Sequence, residues 1–111
     1  MEQAKAINKY VRISPRKARL IADLIRGQAV GDAQAQLMFS NTKASFHLKK
    51  TLNSAVANAE MQLDARPEDL VISQVFVDEG PTLKRAKPKN RGGRHPILKR
   101  TSHLTVVVQK D

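Results

Sequence analysis

Two spacings of apolar residues alternate along the chain. Residues 4–13 set Ile7, Val11 and Ile13 among Asn8, Tyr10 and Arg12, a weak period-two pattern that predicts a strand. From Ser14 the period lengthens. Ala18, Ile21, Ala22 and Ile25, with Leu20 and Leu24 beside them, make an apolar stripe of helical spacing. Ser14 is suited to cap that helix, and Pro15 fits its first position, where no N–H is needed. Arg26-Gly27 offers a cation for the helix end and a residue that tolerates a left-handed stop. Asp32 is placed to cap a second, short helix carrying Ala33, Leu37 and Met38. Thr42 is placed to cap a third and longest helix, with the stripe Ala44, Leu48, Leu52, Ala55, Val56, Ala59 and Leu63. Alanines at 55, 57 and 59 would let another element approach closely.

Arg66-Pro67 ends the helical region. Residues 70–77 are β-branched and aromatic and predict a strand, and residues 103–109 predict another. The order β-α-α-α-β-β predicts an α+β fold, with three helices on one face of a small three-stranded antiparallel sheet. No repeat or linker divides the 111 residues, so one domain is expected. Its body would comprise 1–77 and 103–111. The intervening 78–102 is long for a structureless loop. Its only apolar residues apart from glycine and proline are Leu83, Ala86, Ile97 and Leu98, too few to fold back onto a core. Its ends are two strands placed to pair, so a long protruding β-hairpin is expected. Asp78-Glu79-Gly80-Pro81 would make its bend, and Asn90-Arg91-Gly92-Gly93 its turn. About ten residues per arm at ~3.3 Å each would reach roughly 30 Å.

Charge changes the picture from a fold to a partner. The formal net charge is +10. Residues 5–26 carry Lys5, Lys9, Arg12, Arg16, Lys17, Arg19 and Arg26 against Asp23 alone, whereas residues 27–83 carry a net −3. Residues 84–100 carry Lys84, Arg85, Lys87, Lys89, Arg91, Arg94, Lys99 and Arg100 and no acid. A run of unmatched cations repels itself without a counter-charge, which points to a polyanion, usually nucleic acid. Of the four aromatics, Tyr10, Phe39, Phe46 and Phe76, none lies beyond residue 77. The arm is therefore expected to contact phosphates and backbone shape and not to stack on bases. Arg12, Arg16, Lys17 and Arg19 flank the start of the first helix, whose free N–H groups also favour phosphate.

Four blocks then match a known family. Ser14 to Gly27 (SPRKARLIADLIRG), Ser54 to Glu60 (SAVANAE), Val77 to Pro81 (VDEGP) with Lys84-Arg85, and Ile97 to Val108 (ILKRTSHLTVVV) resemble the bacterial-type large-subunit ribosomal protein twenty-two family over nearly the whole chain. The resemblance implies a structural protein that binds large-subunit rRNA, assists assembly and lines the nascent-peptide exit tunnel with its hairpin. It implies neighbouring large-subunit proteins and the nascent peptide as further partners. Carried over by position, the tip is Lys87, Pro88, Lys89, Asn90, Arg91, Gly92, Gly93, Arg94 and His95. The rRNA contacts are expected at Lys9, Arg12, Arg16, Lys17, Arg19, Lys84, Arg85, Lys87, Lys89, Arg91, Arg94, Lys99, Arg100 and His103.

Other chemistries lack their residues. There is no cysteine, so no disulfide and no cysteine-ligated zinc site, and a reducing, cytoplasmic setting is expected. His47, His95 and His103 have no metal spacing. Asp78 and Glu79, adjacent on a strand, would point to opposite faces. No phosphate-loop motif is present. Neither an enzyme, a cofactor, a membrane span, a signal peptide nor a homo-oligomer is expected. The competing reading is a DNA-bending architectural protein with a basic β-arm, using Pro88 or Pro96 as its wedge.

Overall fold

A three-stranded antiparallel sheet carries the helices on one face, and a separate two-stranded ladder extends from it. The structure is a computed structural model that describes residues 2–88 and 94–110, with backbone alone for 84–88 and 94–98. The described residues form β1 (Gln3–Val11), α1 (Pro15–Ile25), α2 (Val30–Phe39), α3 (Lys43–Leu63), a 3-10 turn (Pro67–Asp69), β2 (Leu70–Glu79), β3 (Leu83–Pro88), β4 (Arg94–Lys99) and β5 (Ser102–Lys110). The strand order is β1-β5-β2, with β3 paired to β4. This is the expected α+β architecture.

The core is aliphatic and set by alternation. Ala4 and Ala6 of β1, Leu104, Val106 and Val108 of β5, and Leu70, Ile72, Val75 and Val77 of β2 face the helices and are buried. In β2 the inward phase shifts between Ile72 and Val75. An irregularity at Ser73, between the pairs Ile72–Val108 and Gln74–Val107, inserts one residue and resets the alternation. From α3, Leu48, Leu52, Ala55 and Ala59 are fully buried, and small side chains on both sides let helix and sheet approach closely. Ala57, expected in that contact, is exposed.

Helix starts follow local chemistry. Ser14 Oγ accepts from the Lys17 N–H at 3.4 Å, and Pro15 opens α1. Thr42 Oγ1 accepts from the Ser45 N–H at 3.1 Å. The second helix departs from expectation: its cap is Ala29, which has no side-chain bond, and Asp32 sits in the first turn, where its charge suits the dipole. Gly27 adopts φ 82° and donates its N–H to the Ile72 carbonyl, so the stop of α1 is also a tie to β2. Arg26 does not serve its own helix end as expected. Its guanidinium spans from Asp23 to the Val75 carbonyl, at 2.6 and 2.8 Å.

The first strand also differs. Ile7, Val11 and Ile13 do not share one face. Ile7 is 48% exposed on the far side of the sheet, and β1 ends at Val11. Between the pairs Asn8–Leu104 and Val11–Ser102, Lys9 and Tyr10 oppose His103 alone, a bulge that flips the phase.

The hairpin leaves the body after Glu79, whose pairing with Ser102 is the last on that side of the sheet. Its root is tied by the Gly80 N–H to the Thr101 carbonyl at 3.0 Å and by the Thr101 hydroxyl to the Pro81 carbonyl at 2.6 Å. The ladder then runs from Leu83–Lys99 to Pro88–Arg94. The longest dimension is 62 Å and the radius of gyration 16.9 Å, against about 13 Å for a compact chain of this length.

Candidate nucleic-acid interface

The start of α1 is a meeting point. The chain leaves β1 at Val11, turns through Arg12 and Ile13, and enters the helix at Ser14. The Ser102 hydroxyl donates to the Ile13 carbonyl at 2.7 Å, which fastens this turn to β5. β5 follows directly on the returning hairpin arm, β4, so Lys99 and Arg100 arrive beside Arg12. The Thr42 end of α3 lines the same place.

Three cavities share Ser14 on their rims. One of about 480 Å³ is lined by Arg12, Lys43, Lys99 and Arg100 with Ile13. One of about 400 Å³ is lined by Arg16, Arg19 and Arg100, with Glu79 as its acid. One of about 500 Å³ is lined by Arg12, Lys17 and Lys43 together with Leu20, Ile21 and Ala44. The cations of the β1–α1 turn, α1, α3 and the hairpin root therefore face one region.

Two helix starts aim at it without acidic complement. The first turns of α1 and α3 contain no Asp or Glu. They contain Arg16, Lys17 and Lys43 instead. Cations at a helix N-terminus oppose its dipole, at about 0.3–1 kcal/mol each where exposed. Arg12, Arg16, Lys17, Lys43, Lys99 and Arg100 are exposed. The ion pair among the described residues is Arg26–Asp23, away from this region. An anion placed here would satisfy side chains and helix ends together.

The sequence-predicted residues fare differently. Arg12, Arg16, Lys17, Lys99 and Arg100 converge as described. Lys9 is exposed on the β1 bulge and lines none of these cavities. Arg19 has a structural duty: its Nε and Nη2 donate to the Val77 carbonyl at 3.2 and 3.0 Å, pinning α1 to β2. His103 is half-buried at the hairpin root. Its Nδ1 accepts the Tyr10 N–H at 3.0 Å, and its ring meets the Tyr10 ring edge-on at 4.9 Å. Lys84, Arg85, Lys87 and Pro88 lie along β3, and Arg94 and His95 along β4. The tip residues Lys89, Asn90, Arg91, Gly92 and Gly93 lie outside the described residues.

Sequence reasoning missed Lys43. A signal was present, since a lysine directly after a Thr cap stands against the dipole. Its neighbour His47 is held below the usual imidazole value of 6.5 by burial, then by Lys43 and Lys50. Sequence reasoning also did not place the aromatics. Tyr10, Phe39, Phe46 and Phe76 are all at least 47% exposed, so none is spent on the core.

Comparison with known proteins supplies a family. Residues 6–109 match the family described as ribosomal protein L22p/L17e. The chain belongs to that family. It is 70% identical over 108 residues to the large ribosomal subunit protein uL22 of Protochlamydia amoebophila, covering 97% of each chain. It is 58% identical to the protein of that name from Chlamydia pneumoniae over 94% of each chain. With the Desulfitobacterium hafniense protein of that name, identity is 56% over 97% of this chain and 95% of the relative. The family thus spans body and hairpin alike. Among the described residues, no helix is long and apolar enough to cross a membrane, and no cluster of His, Asp and Glu could hold a metal.

Proposed function

We propose that the chain is a structural component of the large ribosomal subunit that binds large-subunit rRNA and assists assembly. Its body docks through the basic region around Ser14. Its hairpin extends along the peptide exit tunnel, where the nascent peptide and neighbouring large-subunit proteins are its other partners. The observation that carries this reading is the convergence of cations from four elements on two acid-free helix starts. Such an arrangement is self-repelling in the free protein and is relieved by phosphate. The names of the relatives supply the particle.

The placement of Lys99 and Arg100 bears on how the labours divide. Both belong to the hairpin in sequence, yet they line the docking region with Arg12 and Lys43. The hairpin root therefore works with the body, and only the distal arm is free to shape the tunnel.

Sedimentation tests the reading. The tagged chain should travel with large subunits at moderate salt and be released by ribonuclease. A chain that instead remains with DNA and is released only by deoxyribonuclease would establish the DNA-bending alternative.

A further inference from the structure

Of the three cavities around Ser14, one has an apolar wall. It lies between the N-terminal halves of α1 and α3. Arg12, Lys17 and Lys43 line it together with the apolar Leu20, Ile21 and Ala44. No acid lines it. Leu20 is 65% exposed, although it sits one position from the helical stripe that enters the core. The cavity measures about 500 Å³, within the range of pockets that hold small organic ligands. It shares Arg12, Ile13, Ser14 and Lys43 with the adjoining cavity of Lys99 and Arg100. A strand of phosphates crossing the polar cavity thus has an apolar recess beside it.

We propose that this recess holds one unstacked nucleotide of the rRNA, with its phosphate among Arg12, Lys17 and Lys43 and its base against Leu20 and Ile21. The inference rests on the rRNA-binding reading and adds a base contact to it. A solvated phosphate site needs only cations. An exposed leucine beside them is explained by a flat apolar group that arrives with the phosphate, and a nucleobase is that group. Arg12 can cover the other face of the base, as guanidinium planes do.

Salt dependence separates a base contact from a phosphate contact. Losing a phosphate contact flattens the log–log salt slope by about 0.7–0.9. Losing an apolar base contact lowers affinity at every salt and leaves the slope alone. Full-length protein is titrated against transcribed large-subunit rRNA over a salt series, with Leu20→Ser, Leu20→Phe and Lys43→Gln compared to the unaltered chain. Leu20→Ser is expected to weaken binding roughly fivefold at constant slope, the low end for one stacked base. Leu20→Phe, which offers a better stacking surface, is expected to bind at least as tightly as the unaltered chain. Lys43→Gln is expected to flatten the slope. If Leu20→Ser binds naked rRNA like the unaltered chain, the recess holds no base. That remains so if the variant is impaired only in whole subunits, where a neighbouring protein's side chain would be the occupant. A Leu20→Ser variant that flattens the slope likewise overturns the proposal. If the unaltered chain shows no salt-dependent binding at all, the rRNA reading itself falls, a result distinguishable from the others.

Discussion

Tyr10 holds a left-handed backbone, φ 59°, and the imidazole of His103 accepts its N–H at 3.0 Å. A tyrosine at positive φ is strained by about 1–3 kcal/mol and persists only when its surroundings fix it. His103 does so twice, by the hydrogen bond and by the edge-on ring contact. The bulge lies just before the end of β1 at Val11, so the pair sits next to the turn where the basic region begins at Arg12. His103 also packs against the hairpin root. A Cβ on Gly80 would stand 3.2 Å from its ring and 2.5 Å from the Thr101 hydroxyl.

His103→Ala is therefore expected to cost about 1–2 kcal/mol, one partly exposed hydrogen bond plus one aromatic contact. Urea denaturation of the free protein measures it. A loss below a few tenths would mean that the bulge holds itself.

Arg19 of α1 and Arg26, the residue just past its end, donate to the Val77 and Val75 carbonyls on the outer edge of β2. Edge carbonyls left open invite another strand. Replacing both arginines with lysine keeps the charge but removes the fork that reaches each carbonyl. The double variant is expected to lose about 1–2 kcal/mol and to self-associate in sedimentation velocity at concentrations where the unaltered chain is monomeric. Unchanged stability and a monomeric double variant would refute the structural duty assigned to Arg19.

Lys17 and Lys43 oppose the dipoles of α1 and α3. Lys17→Glu with Lys43→Glu should therefore stabilise the free protein, by about 0.3–1 kcal/mol per site, while weakening rRNA binding. Thermal melts and the binding titration are read on the same preparations. Opposite signs are the expected result. A variant that loses both stability and binding would mean that the lysines support the fold.

His47 titrates below 6.5 in the folded chain because of burial and the nearby Lys43 and Lys50. The sign follows. The unfolded chain takes up its proton first as pH falls through 6.5, so His47 contributes a loss of stability on the acid side that is absent at pH 8. His47→Gln should reduce the drop in stability between pH 7 and 5.5, measured by denaturation at each pH. A drop of the same size would assign it to other groups.

The helices were readable because their signals are local. Ser14 with Pro15, and Thr42 three residues before Ser45, cap by contacts within one turn. The strands at 70–77 and 103–109 announced themselves by β-branched composition and extended by one or two residues each. What stayed hidden depends on partners distant in sequence. The bulges at Tyr10 and Ser73 exist only against β5; the first puts Ile7 and Val11 on opposite faces, and the second resets the inward phase of β2. The site was legible as a set of cations but not as an arrangement. Lys43 joins it because α3 packs beside α1, and Arg19 partly leaves it because a carbonyl 58 residues away claims its guanidinium.

In the proposed function, the cations around Ser14, root of the hairpin included, dock the chain on rRNA, while the distal arm does not. The amount of each variant in purified large subunits tests it, with expression matched. Arg12→Glu, Lys43→Glu and Arg100→Glu together set three like charges against phosphate. They leave the core and the hairpin ladder intact. A second variant deletes 87–94 and rejoins the arms with a two-residue turn. The charge-reversed chain should be nearly absent from subunits and the shortened chain present at close to the unaltered level. Full incorporation of the charge-reversed chain, or exclusion of the shortened one, would contradict the account.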